Sequence, residues 1–173
     1  MSPEALIAIG RVTKPHGLQG EVVMLPYVYD VDLLPDLTTQ PILLRQGKDK
    51  MQERVVVGWR TLKKRLLLRF NECHDLAQAE TLREWEVCIP RQSFPPLPPG
   101  EYYWFEIEGL AVYASDGRYI GTVAEIIYTG SNDVYVVRHG TDEVLVPALK
   151  DVVRAIDLTQ GSMHLFPVQG LLE

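Results

Sequence analysis

The chain of 173 residues is long enough for one ordinary domain or two small ones. Its 46% hydrophobic and 23% charged residues suit a globular protein, and no apolar run nears the roughly 18 residues of a membrane helix. The net charge of −6 is unevenly divided: residues 1–91 hold 13 Lys/Arg against 12 Asp/Glu, whereas residues 92–173 hold 4 against 11.

The first half reads as β structure with one helix. Ala5–Val12, Gly20–Leu25, Ile42–Arg45, Glu53–Trp59, Leu66–Phe70 and Glu86–Ile89 are short runs rich in Val, Ile and Leu between Gly, Pro and polar residues. Strands at this spacing, without alternating helices, predict a small barrel rather than a parallel sheet. Asp75 is placed to cap a short helix beginning at Leu76, with Ala79 and Leu82 at helical spacing. Within this half, residues 45–69 contain nine cations, namely Arg45, Lys48, Lys50, Arg54, Arg60, Lys63, Lys64, Arg65 and Arg69, opposed only by Asp49 and Glu53. Such a segment is either the solvated face of strands and turns or a surface for phosphate.

A Pro-rich connector follows. Pro95, Pro96, Pro98 and Pro99 fix φ and remove backbone donors, so the run reads as a stiff extended linker ended by Gly100. Three aromatics come next, Tyr102-Tyr103-Trp104. Read as a strand, they cannot all face one core, because successive side chains alternate; the expectation is that Trp104 packs and at least one tyrosine is presented. A second β set then runs through Leu110–Ala114, Tyr119–Tyr128, Val134–His139, Val144–Pro147, Ile156–Leu158 and Met163–Phe166. Turn chemistry at Ser115–Arg118 and Gly130–Asp133 separates its strands, and Ala148–Val153 has room for one helical turn. The expected architecture is mostly β: a barrel with one short helix over residues 1–91, a Pro-rich linker over 92–100, and a second small barrel over 101–173.

No catalytic constellation stands out. His16, His74, His139 and His164 lack metal-ligand spacing, and no nucleophile elbow, Walker A or dinucleotide-binding glycine motif occurs. Cys73-His74 is an adjacent pair that faces each other poorly. Cys73 and Cys88 are expected to be free thiols in a reducing compartment, and Met1–Ala5 lacks the basic start of a secretory leader, so the expected location is cytoplasmic. Two motifs remain. Gly10–Val22 packs three glycines and a proline between apolar runs and carries Arg11, Lys14 and His16, as a tight loop alone or as one meeting a phosphate backbone. The Tyr-Tyr-Trp run serves inter-domain packing or a binding hot spot.

In order and spacing these motifs resemble the ribosome maturation factor RimM family. Gly10, Val12, His16, Gly17, Leu18, Gly20, Glu21 and Val22 resemble that family's opening, and Glu101-Tyr102-Tyr103-Trp104 its segment after the linker. Gly109-Leu110, Asp116-Gly117, Gly121, Thr129–Val134, Leu145-Val146-Pro147, Asp151–Val153, Ile156-Asp157 and Gly170–Glu173 fall in the order of its PRC-barrel. The likeness covers nearly the whole chain. It departs at Glu84, where Gly is usual, and at Glu108, where an apolar residue is usual.

The resemblance implies a translation-factor-like N-terminal barrel, a PRC-barrel, and a non-enzymatic cytoplasmic factor in maturation of 16S rRNA and the small-subunit head. It also implies binding to the nineteenth small-subunit protein, with Tyr102 and Tyr103 in subunit binding, no membrane, no metal and no cofactor. The charge division agrees: an acidic second half suits a basic ribosomal protein, and Arg11, Lys14, His16, Lys63, Lys64 and Arg65 are the RNA-facing candidates. The free protein is expected to be monomeric. Two other classes stay in view: an adaptor docking on a membrane complex, against which the lack of an apolar anchor counts, and an RNA-processing enzyme, against which the missing acid–base sites count.

Overall fold

The protein is described here by a computed structural model covering residues 6–28, 30–129, 131–167 and 170. The expected strand start at Ala5, the turn residue Gly130 and the terminal Leu171–Glu173 lie outside the described residues, as does the whole Met1–Ala5 segment. The chain divides into two compact units, Met1–Pro96 and Leu97–Glu173. As expected, each is a small β-barrel.

In the first unit the strands are β1 (Leu6–His16), β2 (Glu21–Pro26), β3 (Ile42–Gln46), β4 (Lys50–Arg54), β5 (Val56–Leu62), β6 (Arg65–Phe70) and β7 (Glu86–Pro90), with α1 (Leu76–Glu80) between the last two. They form one antiparallel sheet in the order β4-β3-β7-β1-β2-β6-β5. One face is the core, where Ile9, Val12, Val22, Met24, Ile42, Leu44, Leu66, Leu68 and Val87 are all fully buried. Removal of this apolar area from water is the main term favouring the unit. Asp75 caps α1 as expected, its carboxylate accepting from the Gln78 N–H at 2.8 Å.

Three local expectations are corrected. Thr13–His16 is not a loop: the strand expected to end at Val12 continues through it, and only residues 17–20 turn. Pro15 is tolerated because β7 pairs with β1 only as far as Arg11, so its missing N–H faces no partner strand on that side. The turn itself needs glycine, since Gly20 has φ +96° and a Cβ there would lie 2.3 Å from the Cys73 carbonyl oxygen. The expected Glu53–Trp59 strand is two strands. β4 pairs with β3 and β5 with β6, so the chain changes partner at Val55.

The second unit holds α2 (Trp104–Ile107) and strands β8 (Ala111–Tyr113), β9 (Tyr119–Tyr128), β10 (Asp133–His139), β11 (Asp142–Pro147), β12 (Val153–Asp157) and β13 (Ser162–Leu165). Their order is β11-β10-β9-β8-β13-β12, antiparallel except for β8 and β13. Val112, Val123, Val137, Val146, Met163 and Leu165 form its core with Ile107. Here the third correction falls: the aromatic run is not a strand but the entry to α2. The Glu106 carboxylate accepts from the Tyr103 N–H at 2.9 Å, and the helical spacing turns Trp104 and Ile107 inward together. Ala148–Val153 makes a single turn, as expected, in which the Leu149 carbonyl accepts from the Val152 and Val153 N–H groups.

Candidate nucleic-acid interface

Paired residues on neighbouring strands share a face of a sheet, so register decides which cations stand together. Lys14 pairs with Val23, Val23 with Leu67, and Leu67 with Arg60. His16 pairs with Glu21, and one step along the β2–β6 register Glu21 stands beside Arg69, which is itself opposite Gly58. In the other direction Arg11 pairs with Leu25, beside Arg65. Two contacts verify the assignment. Arg60 Nη2 reaches Glu21 Oε1 at 3.4 Å, and Arg69 Nη2 lies 3.7 Å from a Cβ built on Gly58.

The face of β1, β2, β6 and β5 that bears Val23 and Leu67 therefore carries Arg11, Lys14, His16, Arg60, Arg65 and Arg69. Glu21 is the carboxylate these strands place there, and Glu84 and Glu86 stand beside Arg11 at its edge. At its centre Val23 and Leu67 are only 3% and 1% exposed, so the cations form a rim around a shielded apolar middle. Lys14, Arg60, Arg65 and Arg69 are exposed, and Arg11 and His16 half-buried. Among the described residues, Lys14, Lys63, Lys64, Arg65 and Arg69 make no ion pair, which leaves their charge for a partner.

Lys63 and Lys64 stand at the tip of the two-residue β5–β6 turn closed by Leu62 and Arg65. Lys63 has φ +56°, as at the first central position of a type II′ turn. This geometry holds both lysines clear of the sheet, and both are exposed.

Arg11 is more constrained. Its Nε is buried without a hydrogen-bond partner, and Glu84 Oε2 at 3.6 Å supplies an ion pair beyond hydrogen-bond length. Glu84 itself has φ +73°, the left-handed conformation that glycine adopts freely. Beside Arg11, the Tyr27 hydroxyl donates to Glu86 Oε2 at 2.9 Å. Burial first, and this carboxylate second, push the phenol up to about 12.

The sequence-predicted residues thus fall into two sets. Arg11, Lys14, His16 and Arg65 come together on one face, with Lys63 and Lys64 at its adjoining turn. Arg60 and Arg69 were not singled out as RNA-facing. The alternation of Arg65, Leu67 and Arg69 along β6 is the signal that places Arg69 beside Arg65.

In the second unit, Tyr102 and Tyr103 occupy different settings. Tyr103 is 5% exposed, stacked on Phe105 at 5.2 Å between ring centroids and edge-on to Trp104 at 6.4 Å. Burial raises its phenol pKa. Trp104 is buried too, as expected. Tyr102 is half-buried against the core and lines a cleft of about 250 Å³ with Tyr135, Lys150 and Arg154. Of the two tyrosines, Tyr102 is the one presented. Arg138 is held by Glu125 and Glu143 at 3.4 and 3.0 Å.

Among the described residues no group of three or more His, Cys, Asp or Glu is placed to hold a metal ion. No helix there is long and apolar enough to cross a membrane. Both cysteines are buried and free; burial raises each thiol pKa, which leaves little of the reactive thiolate.

Comparison with known proteins covers both units. Residues 7–94 match the RimM N-terminal domain and residues 104–171 the RimM PRC barrel domain. The chain is 37% identical over 169 residues to the ribosome maturation factor RimM of Geobacter metallireducens, covering 97% of this chain and 96% of that protein. It is 36% identical over 171 residues to the protein of the same name from Desulforamulus reducens, covering 98% and 99%. A crystal structure of a 16S ribosomal RNA processing protein RimM from Pseudomonas aeruginosa is 29% identical, spans 94% of this chain and 98% of its own, and superposes with a TM-score of 0.48.

Proposed function

Because the chain belongs to the RimM family, we propose that it acts as a ribosome maturation factor of the small subunit, working in the cytoplasm by binding and without covalent chemistry. The observation that carries the reading is the face built by β1, β2, β6 and β5. It gathers cations from two distant sequence segments, residues 11–16 and 60–69, and among the described residues most of them make no ion pair. An array of this kind neutralises phosphates and releases their counterions, and backbone contacts of that sort position a protein on RNA. In this reading the first unit lies on 16S rRNA of the immature head.

The second unit, with its excess of carboxylates, takes a basic head protein, the nineteenth of the set, with Tyr102 at the contact and Tyr103 supporting it from within. Binding both partners favours one arrangement of the head over others, and the factor leaves when its surface is occluded.

Sedimentation of cell extracts through sucrose gradients tests the role. The chain is expected with small-subunit precursors and absent from mature ribosomes. Migration with mature 70S particles alone, or with no ribosomal particle at all, would overturn it. Cleavage of precursor rRNA by the purified chain would do the same for the non-enzymatic reading.

A further inference from the structure

The row His16, Glu21, Arg69 ends at a cleft of about 340 Å³ in the first unit, at the low end of the size of small-ligand sites. Gln19, Glu21, Arg69, Asn71 and His74 line its polar side, and Phe70 and Cys73 lie beneath, each 1% exposed. The side chains of Gln19, Asn71 and His74 make no hydrogen bond among the described residues. Glu21 Oε1 accepts from Arg60, and Oε2 has no donor among the described residues. Arg69 makes no ion pair among the described residues. A cleft that opens off a cationic face thus holds two uncommitted amides, a carboxylate oxygen and an unpaired guanidinium.

We propose that this cleft receives one unpaired nucleotide of a bound RNA, and that it selects a base bearing an exocyclic amino group. The inference rests on the RNA-facing reading of the sheet above. Arg69, at the junction of face and cleft, takes the phosphate. Phe70 is buried and offers no stacking platform, so among the lining rings only the His74 imidazole can cover a face of the base, while the amides and the carboxylate read its edge. The amides of Gln19 and Asn71 present donor and acceptor together, as required for bidentate contact with a base edge. The Glu21 carboxylate only accepts. An amino group such as that of cytosine donates to it, whereas the O4 carbonyl of uracil is repelled. Cytosine and uracil differ at this edge and little in size, so the pair isolates the effect.

The test is equilibrium binding of the full chain to octacytidine and octauridine RNA at several salt concentrations. Octacytidine is expected to bind about fivefold more tightly or better, the lower limit for one good bidentate contact. Gln19→Ala/Asn71→Ala is expected to weaken octacytidine binding by more than octauridine binding, so that the gap narrows, while both salt slopes stay unchanged. Glu21→Gln, which turns an acceptor into an amide, is expected to narrow the preference. Equal affinity of the wild-type chain for the two octamers, or a preference that survives both variants, overturns the cleft assignment alone. If neither octamer binds, the RNA reading of the whole face falls with it.

Discussion

The two units set their candidate contact residues in opposite physical situations. In the first, Lys14, Lys63, Lys64, Arg65 and Arg69 are exposed, make no ion pair among the described residues, and cover a core that other residues fill. In the second, Tyr103 and Trp104 are themselves buried, and Tyr102 packs on the core cluster while lining a cleft. Contact and stability are therefore separable in the first unit and entangled in the second. A loss of binding on changing the tyrosines together cannot be read as a lost contact, whereas a loss on changing the cations can.

That contrast gives graded expectations. Tyr103→Ala removes a buried, stacked ring and is expected to cost about 3–5 kcal/mol, as large aromatic truncations do, measured by urea unfolding. Tyr102→Ala removes a half-buried ring and is expected to cost roughly half as much, about 1.5–2.5 kcal/mol on the same scale, while lowering subunit binding at temperatures where the fold is intact. Equal costs for the two would erase the distinction between supporting and presented ring.

Glu84→Gly is expected to stabilise the first unit by up to about 1 kcal/mol, because a left-handed non-glycine residue carries strain of that order; part of the gain is offset by loss of the Arg11 ion pair. A net loss of stability would mean that the ion pair outweighs the strain. Smallest of all, Lys63→Glu/Lys64→Glu/Arg65→Glu is expected to leave unfolding within about 0.5 kcal/mol of wild type, as surface substitutions usually do.

Much of the fold was legible in the sequence, because apolar runs between Gly and Pro mark strands whatever their partners. β4 escaped notice since Lys-Met-Gln-Glu-Arg is polar and mostly exposed, with no apolar alternation to show it. α2 escaped because four residues are too few to display a helical period, and its definition comes from the Glu106 carboxylate at its start. The glycine-rich Gly10–Val22 segment looked like a loop by composition, yet pairing with β2 extends it to His16.

The site divides the same way. The cations of the β5–β6 turn are contiguous and visible as a cluster. The face they adjoin is not visible, because Lys14, Arg60 and Arg69 meet only through the register of four strands. Glu84 is instructive in another sense: where the resemblance leads one to expect glycine, a glutamate holds a left-handed backbone angle.

The central claim is that the first unit binds rRNA through unpaired cations. Its most direct test is the salt dependence of binding between the full chain and a 16S rRNA head fragment, for wild type and Lys63→Glu/Lys64→Glu/Arg65→Glu. If the three side chains contact phosphates, affinity falls and the slope of log K against log salt becomes shallower by about 2–3, at roughly 0.7–0.9 per phosphate contact. An unchanged slope and affinity in a variant that folds normally would contradict the assignment of that turn to RNA.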